Sequence, residues 1–415
     1  MDSLETAKNV HKKLPGVGKA GLPIFLCWLV YTTAYFGRYS YASNITAIMD
    51  AFGVNHADAG LVTTCFFFAY GIGQVVNGIL CKYYPKKIVI PLALLISAAL
   101  NLAVFLGVPF VYLKYLWLLN GVVQSVLWPT LIFVLSNHLQ SQDLSKAIVA
   151  MSFTVPVGTF VTYGLSAALA TVGGFAYSFL FGAVMMSVSA AIWFALHNKA
   201  FVGAGESRQE KAEKTVRSRM GAATFTVIVA LGVLAVADNL VKDGLTTWIP
   251  AILKESFGLP ESLSIVLTLV LPVLGIFGSF ANVLLRRRIQ SFIVLAGVWY
   301  LLTVICLGVA ITLLQTTHWY VVLGLFGLIS LFMHAINTLI TSIAPLYMRD
   351  KINSGLLAGV LNGCCYVGST LSSYGLGALA DNFGWDSVFN LLLFVCIGAV
   401  VLAVGVSIWE RRNHA

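Results

Sequence analysis

The sequence predicts an all-α polytopic membrane protein with 12 transmembrane helices in two pseudo-symmetric six-helix bundles. Three observations carry that prediction. Hydrophobic residues make up 59% of the 415-residue chain and charged residues only 10%, against roughly 25% charged in a soluble globular domain. So few charges cannot cover a water-exposed surface. Twelve stretches are apolar over the roughly 20 residues that a helix needs to cross a bilayer core, and none shows the two-residue alternation of a membrane β-barrel. Finally, the basic residues are sorted along the chain as membrane topology sorts them.

In chain order, residues 1–20 are a polar tail holding Lys8, Lys12, Lys13 and Lys19. The apolar run behind it is too long, and carries an internal charge, for a cleaved signal peptide. The expected spans are 21–50, 58–82, 88–108, 111–139, 145–171 and 174–197, then 221–252, 261–284, 290–314, 317–348, 353–380 and 384–409. A polar segment, 198–220, with Lys199, Arg208, Lys211, Lys214, Arg217 and Arg219, divides them into bundles 21–197 and 221–409, and 410–415 is a short tail.

The chain has 25 Lys and Arg against 16 Asp and Glu, a net charge of +9. With the N-terminus in the cytoplasm, 21 of the 25 basic residues fall on the cytoplasmic side. They include Lys82, Lys86, Lys87, Lys146, the 198–220 cluster, Arg286 to Arg288, Arg349, Lys351, Arg411 and Arg412. Lys114 and Lys254 fall outside, and Arg38 and Lys242 fall within helices. The surplus is therefore a topology signal and not a nucleic-acid surface. It places a multi-pass chain in the plasma (cytoplasmic) membrane with both termini inside. His56 and His318 fall in outer loops with no assigned role. The seven cysteines form neither a disulfide framework nor a metal pattern. No GxxxxGK[ST] loop, HExxH spacing or catalytic constellation occurs, so no enzyme activity, cofactor or metal is expected.

The two halves repeat each other. Gly78, Lys82 and Lys86-Lys87 match Gly278, Asn282 and Arg286-Arg287 in spacing. Val157-Gly158-Thr159, Tyr163-Gly164-Leu165 and Gly173 match Val367-Gly368-Ser369, Tyr374-Gly375-Leu376 and Gly384 to within one residue. With this layout the sequence resembles the major facilitator superfamily over its whole length. That family's G-x-x-x-D-R-x-G-R-R signature is reduced here to Gly78-Ile-Leu-Cys-Lys82-Tyr-Tyr-Pro-Lys86-Lys87, without the aspartate and the arginine after it. The resemblance implies a substrate site at midplane between the halves.

Four ionisable residues lie within spans: Arg38, Asp238, Lys242 and Asp243. Burying such a group in lipid is costly, so each marks either a pathway or a structural ion pair. Asp238 and Lys242, spaced i,i+4, suit a pair. Arg38 has no acidic partner nearby in sequence. Arg38 precedes Asp50-Ala-Phe-Gly-Val by twelve residues, and Lys242 precedes Glu255-Ser-Phe-Gly-Leu by thirteen. The first helix of each half thus carries a cation at nearly the same depth, and two converging cations suit an anion.

Within the superfamily the chain resembles the organophosphate:phosphate antiporters, typified by the glycerol-3-phosphate and hexose-6-phosphate transporters. The matching residues are Tyr31-Thr-Thr-Ala-Tyr35-Phe-Gly-Arg38, Ala69-Tyr70-Gly71, Gln124-Ser-Val-Leu-Trp128-Pro129, Lys242 before Trp248 and Pro250, Ala358-Gly359 through Tyr366-Val367-Gly368, and Gly384-Trp385-Asp386. The departures are Gln74 where the family often has lysine, Val155 where it has histidine, and Lys242 where arginine is usual. Together with Asp238 and Asp243 they make the cavity less positive, so a carboxylate competes with a phosphate ester.

The expected substrate-binding residues are therefore Arg38 and Lys242, with Tyr31, Tyr35, Tyr70, Gln74, Gln124, Trp128, Asn239, His334, Asn337, Asn362 and Tyr366 reading the rest of the solute. Asp238 and Asp243 are candidates for proton coupling or charge pairing. The expected function is secondary transport of a small organic anion by rocker-switch alternating access, driven by antiport, with inorganic phosphate as one counter-ion, or by protons. A monomer in the bilayer is expected. Two rivals share the fold: a proton-coupled exporter of amphiphilic drugs using Asp238 and Asp243, and a sugar-phosphate sensor that moves nothing.

Overall fold

The computed structural model describes residues 20–139, 143, 146–147, 150–151, 153–201, 222–286, 288–314, 318–344, 348 and 354–414. The expected tail, most of the 198–220 linker, Arg287, Arg349 and Lys351 lie outside them. Among the described residues every regular element is helical.

In chain order the helices are α1 (Gly21–Ala42), α2 (Ile45–Phe52), α3 (His56–Leu80), α4 (Lys86–Phe105), α5 (Phe110–Gln124), α6 (Leu127–His138), α7 (Thr154–Val172) and α8 (Ala176–Ala200). They continue as α9 (Ala222–Phe257), α10 (Glu261–Thr268), α11 (Val270–Arg286), α12 (Phe292–Leu313), α13 (Trp319–Thr338) and α14 (Ser354–His414). Gly53 ends α2 in a left-handed conformation (φ 63°), and Asn55 caps α3 by accepting from the Asp58 N–H at 2.8 Å. Gly384, at φ 76° and ψ 171°, breaks α14 where two spans were expected, a conformation that only glycine adopts without strain.

Nine helices among the described residues are long and apolar enough to cross a membrane. Of the twelve expected spans two fall outside that set, and the last two are counted as one. The tyrosines, threonines and Arg38 of α1 lower its hydropathy, Thr154–Leu169 of α7 is shorter than a full span, and the last two spans join across the Gly384 kink. Outward-facing Ile79, Phe394 and Val401 are each about two-thirds exposed. Spread over the bundle's flanks, such side chains need lipid against them.

The sequence repeat is a packing repeat. A Cβ on Gly158 of α7 would lie 2.5 Å from Tyr35 Cβ and 3.1 Å from the Thr32 carbonyl oxygen of α1. A Cβ on Gly368 of α14 would overlap the Val236 carbonyl oxygen of α9 and come within 2.9 Å of the Leu240 nitrogen. In each half, a glycine therefore lets one helix close onto the first, backbone against side chain or backbone. Close approach of this kind drives helix association where no water is available to be expelled.

The halves meet along α3 and α14, α7 and α10, and α2 and α9. Thr64 Oγ1 donates to the Thr370 carbonyl at 2.9 Å, and Tyr163 Oη to the Thr246 carbonyl at 3.0 Å. At the end of the bundle remote from Gly21 and His414, a clasp joins them. His56 of α3 places Nδ1 2.6 Å from Asp381 and Nε2 2.8 Å from Glu255. The backbone N–H groups of His56 and Ala57 donate to Asp381 at 3.0 and 2.7 Å. Trp385 Nε1 donates to Glu255 at 2.9 Å, and Lys254 pairs with Asp50. The absence of a role for His56 is thus corrected: sequence distance hid two carboxylates that belong to the other half.

Gly368→Ala should cost about 1–3 kcal/mol, because the added methyl meets fixed backbone. Gly375→Ala, with nothing within 4 Å of its Cβ, should leave stability unchanged. Thermal unfolding in detergent of the two variants side by side checks this.

Candidate functional site

Arg38 lies on α1 with only 5% of its surface exposed. Its guanidinium sits over three rings: Tyr70 at 4.2 Å, Tyr35 at 4.6 Å and Phe66 at 5.0 Å. Nε donates to Gln124 Oε1 at 3.3 Å, while Nη2 is buried without a hydrogen-bond partner. No carboxylate lies within ion-pairing distance of it among the described residues. Ring faces attract a desolvated cation by about 2 kcal/mol or more, so the charge is held by π-systems and amides and remains uncancelled.

A polar ladder fixes Gln124 from behind. Gln124 Nε2 donates to Ser97 Oγ at 2.9 Å and to Asn120 Oδ1 at 3.2 Å, and Ser97 Oγ donates to Asn120 Oδ1 at 2.6 Å. Ser40 Oγ of α1 donates to Asn101 Oδ1 at 3.0 Å. With both amide ends committed, Gln124 presents its oxygen to Arg38 in one orientation.

The tyrosines continue the site. The Tyr31 and Tyr70 hydroxyls are 3.2 Å apart. Tyr31 packs on Trp128 at 4.7 Å and on Tyr35 at 5.3 Å. Tyr70 packs edge-on against Tyr366 of α14 at 4.8 Å, which carries the cluster across to the other half.

On that side α9 supplies Asp238, Asn239, Lys242 and Asp243. Asp238 is fully buried: Oδ2 accepts from Asn337 Nδ2 at 3.2 Å, and Oδ1 has no partner. Asn337 also reaches Asn239 Oδ1 at 3.4 Å. Lys242 Nζ lies 3.6 Å from Asp243 Oδ1, and Ser369 of α14 donates to the other Asp243 oxygen. This corrects the i,i+4 alternative. The ion pair of Lys242 is with Asp243, because Asp238 turns to Asn337 on α13.

The structure gathers Arg38, Tyr31, Tyr35, Tyr70, Gln124, Trp128 and Tyr366 into one contact network, and Asp238, Asn239 and Asn337 into another. Gln74 is buried with an unpartnered Nε2, and Asn362 is half-buried one turn before Tyr366. His334 stays within its own half, 2.8 Å from the Ser330 carbonyl and against Gly275 of α11. Sequence reasoning missed Phe66, Ser97, Asn101, Asn120 and Ser369. A signal existed for the ladder: Ser97 with Asn101, and Asn120 with Gln124, are i,i+4 polar pairs on otherwise apolar helices.

Comparison with known proteins places this geometry. The family model described as Major Facilitator Superfamily matches residues 27–373. The voltage-gated purine nucleotide uniporter of Rattus norvegicus is 26% identical, over 84% of this chain and 81% of its own. Sugar phosphate exchanger 3 of Bos taurus is 21% identical, over 85% of this chain and 82% of its own. In three dimensions the chain is similar to a bacterial homolog of the human lysosomal transporter Spinster in its inward-facing, occupied conformation. The TM-score is 0.78 at 14% identity, covering 95% of this chain and 98% of that one.

Tyr70→Phe removes the hydroxyl contact to Tyr31 but keeps the ring over Arg38, whereas Tyr70→Leu removes both. We expect Tyr70→Leu to be less stable than Tyr70→Phe by about 2 kcal/mol, read from detergent melting curves.

Proposed function

We propose a substrate class on one fixed premise: the chain belongs to the Major Facilitator Superfamily. It is a multi-pass membrane protein and a secondary transporter of a small solute, not an enzyme. The solute in our reading is a small organic anion, either a phosphorylated metabolite or a carboxylate. One observation carries this: Arg38 is buried, and among the described residues it has no carboxylate partner and keeps an unused donor. Gln74 Nε2 is a second unused donor. A guanidinium binds phosphate or carboxylate with two parallel hydrogen bonds, and Lys242 adds a point charge tempered by Asp243. The names of the nucleotide and sugar-phosphate relatives fit this chemistry. The aromatic cluster and the amides of Gln124, Asn239, Asn337 and Asn362 read the uncharged part of the solute.

Transport then proceeds by rocking of bundles 21–197 and 221–409, six spans each, joined by the 198–220 linker. The clasp holds the end remote from the termini closed, and the anion draws the two cations together before that end opens. Both termini face the cytoplasm of a plasma-membrane monomer, in keeping with Lys82, Lys86, Lys87, Arg411 and Arg412 at that end. Asp238, with one oxygen unpartnered, supports proton coupling as the second reading; antiport against inorganic phosphate is the first.

Uptake of glycerol 3-phosphate, glucose 6-phosphate and gluconate into proteoliposomes tests the proposal. Arg38→Ala and Lys242→Ala should each lower uptake of the transported anion about tenfold or more, the loss of one charge-assisted contact. Asp243→Asn should tighten its half-saturation by freeing Lys242. Full anion uptake by both alanine variants would overturn the reading, and saturable binding without flux would make the protein a sensor. Uptake that loses its pH dependence in Asp238→Asn selects proton coupling over phosphate exchange.

A further inference from the structure

A second basic site lies away from the Arg38 cluster, at the end of the bundle that carries the chain termini. A cavity of about 370 Å³ is lined there by Tyr84, Lys86, Lys87, His138, His197 and Phe201, and by no acidic residue. Lys86 and Lys87 open α4, His138 closes α6 and His197 lies in the last turn of α8. Three helix ends therefore deliver four nitrogen-bearing side chains to one hollow.

The arrangement is costly as it stands. The N-terminus of a helix carries a partial positive charge and favours acids. The first turn of α4 has no acid and no side-chain cap, and it places two lysines there. Both lysines are half-buried, and neither forms an ion pair among the described residues, a rare state for lysine. Lys86 Nζ donates to the Lys82 carbonyl at 3.0 Å and lies over the Phe133 ring at 4.8 Å, and Lys87 Nζ lies over the Phe194 ring at 4.9 Å. His197 Nδ1 is buried, with the Asn198 side chain as its polar neighbour. Its ring is held between Trp193 at 5.5 Å and Phe201 at 5.0 Å, and Phe201 also packs on His138 at 4.9 Å. Trp193 Nε1 donates to the Lys86 backbone carbonyl at 3.1 Å, which ties the wall of α8 to the start of α4. Two adjacent lysines at a helix N-terminus, with two imidazoles beside them, suit a multivalent oxyanion.

We propose that this cavity binds the phosphodiester headgroup of an anionic phospholipid. A phosphoester fits the lysines and the helix terminus. The lipid source follows from the rim, where Ile88 and Phe194 are each more than half exposed and apolar, an acyl-chain surface beside a charged hollow. Basic pockets between helix ends are suited to such headgroups. This reading does not depend on the transported solute.

Native mass spectrometry of the purified protein with phosphatidylglycerol, phosphatidylcholine or glycerol 3-phosphate tests it. The wild type should retain phosphatidylglycerol over phosphatidylcholine, and Lys86→Gln/Lys87→Gln should lower that retention at least about fivefold. The Lys86 contact to Trp193 uses backbone, so the double variant keeps it, and an unchanged lipid-free melting temperature certifies its fold. His197→Gln, with both lysines intact, should also lower retention and serves if the double variant unfolds. Equal retention of phosphatidylglycerol by the variants overturns the site. Retention of glycerol 3-phosphate alone, lost in the variants, overturns the lipid and assigns the hollow to a soluble phosphoester.

Discussion

A guanidinium buried in a membrane protein, with no acid beside it among the described residues, constrains much of what surrounds it. Water cannot solvate Arg38 from behind, and an unpaired charge in a low-dielectric interior costs several kcal/mol. The chain offsets this with three ring faces and one amide. Each support needs its own support. Gln124 is fixed by Ser97 and Asn120, Tyr70 by Phe66 and Tyr366, and Tyr35 is pressed by the close approach at Gly158. The polarity that removes α1 from the set of strongly apolar helices is therefore a consequence of the charge it carries.

The two halves share a scheme and differ in chemistry. In each, the first helix carries an ionisable group bound by an amide from a later helix, Arg38 by Gln124 and Asp238 by Asn337. In each, a glycine brings another helix onto that first one. One half holds its cation against rings; the other holds Lys242 beside Asp243. The pairing makes the second cation more easily compensated than the first, so the site is electrostatically lopsided about its own pseudo-axis.

Much of this was legible in the sequence, and the limits have physical causes. Apolar length marked the membrane helices, and the Gly158 and Gly368 repeats marked real contacts, because close packing leaves a small residue at a fixed place. Arg38 and Lys242 stood out because a charge within an apolar run has few bland explanations. Partners were another matter. Spacing on one helix suggested Asp238 for Lys242, but the choice was made by Asn337 on a different helix, which no local pattern encodes. His56 was unreadable for the same reason, since its two carboxylates lie 199 and 325 residues away. Ladder residues such as Ser97 and Asn120 carried a faint i,i+4 signature that only becomes meaningful beside the charge they serve.

The clasp around His56 has an optical consequence. Its imidazole sits 5.4 Å from the Trp248 ring and 5.2 Å from the Trp385 ring, with the two indoles 5.9 Å apart. Indole emission responds to a neighbouring imidazole and to contact with water. Parting the halves at this end carries His56 away from both tryptophans, which belong to the opposite half. If that end opens as proposed, its closed and open forms would differ in intrinsic fluorescence, giving the protein a built-in reporter of the movement.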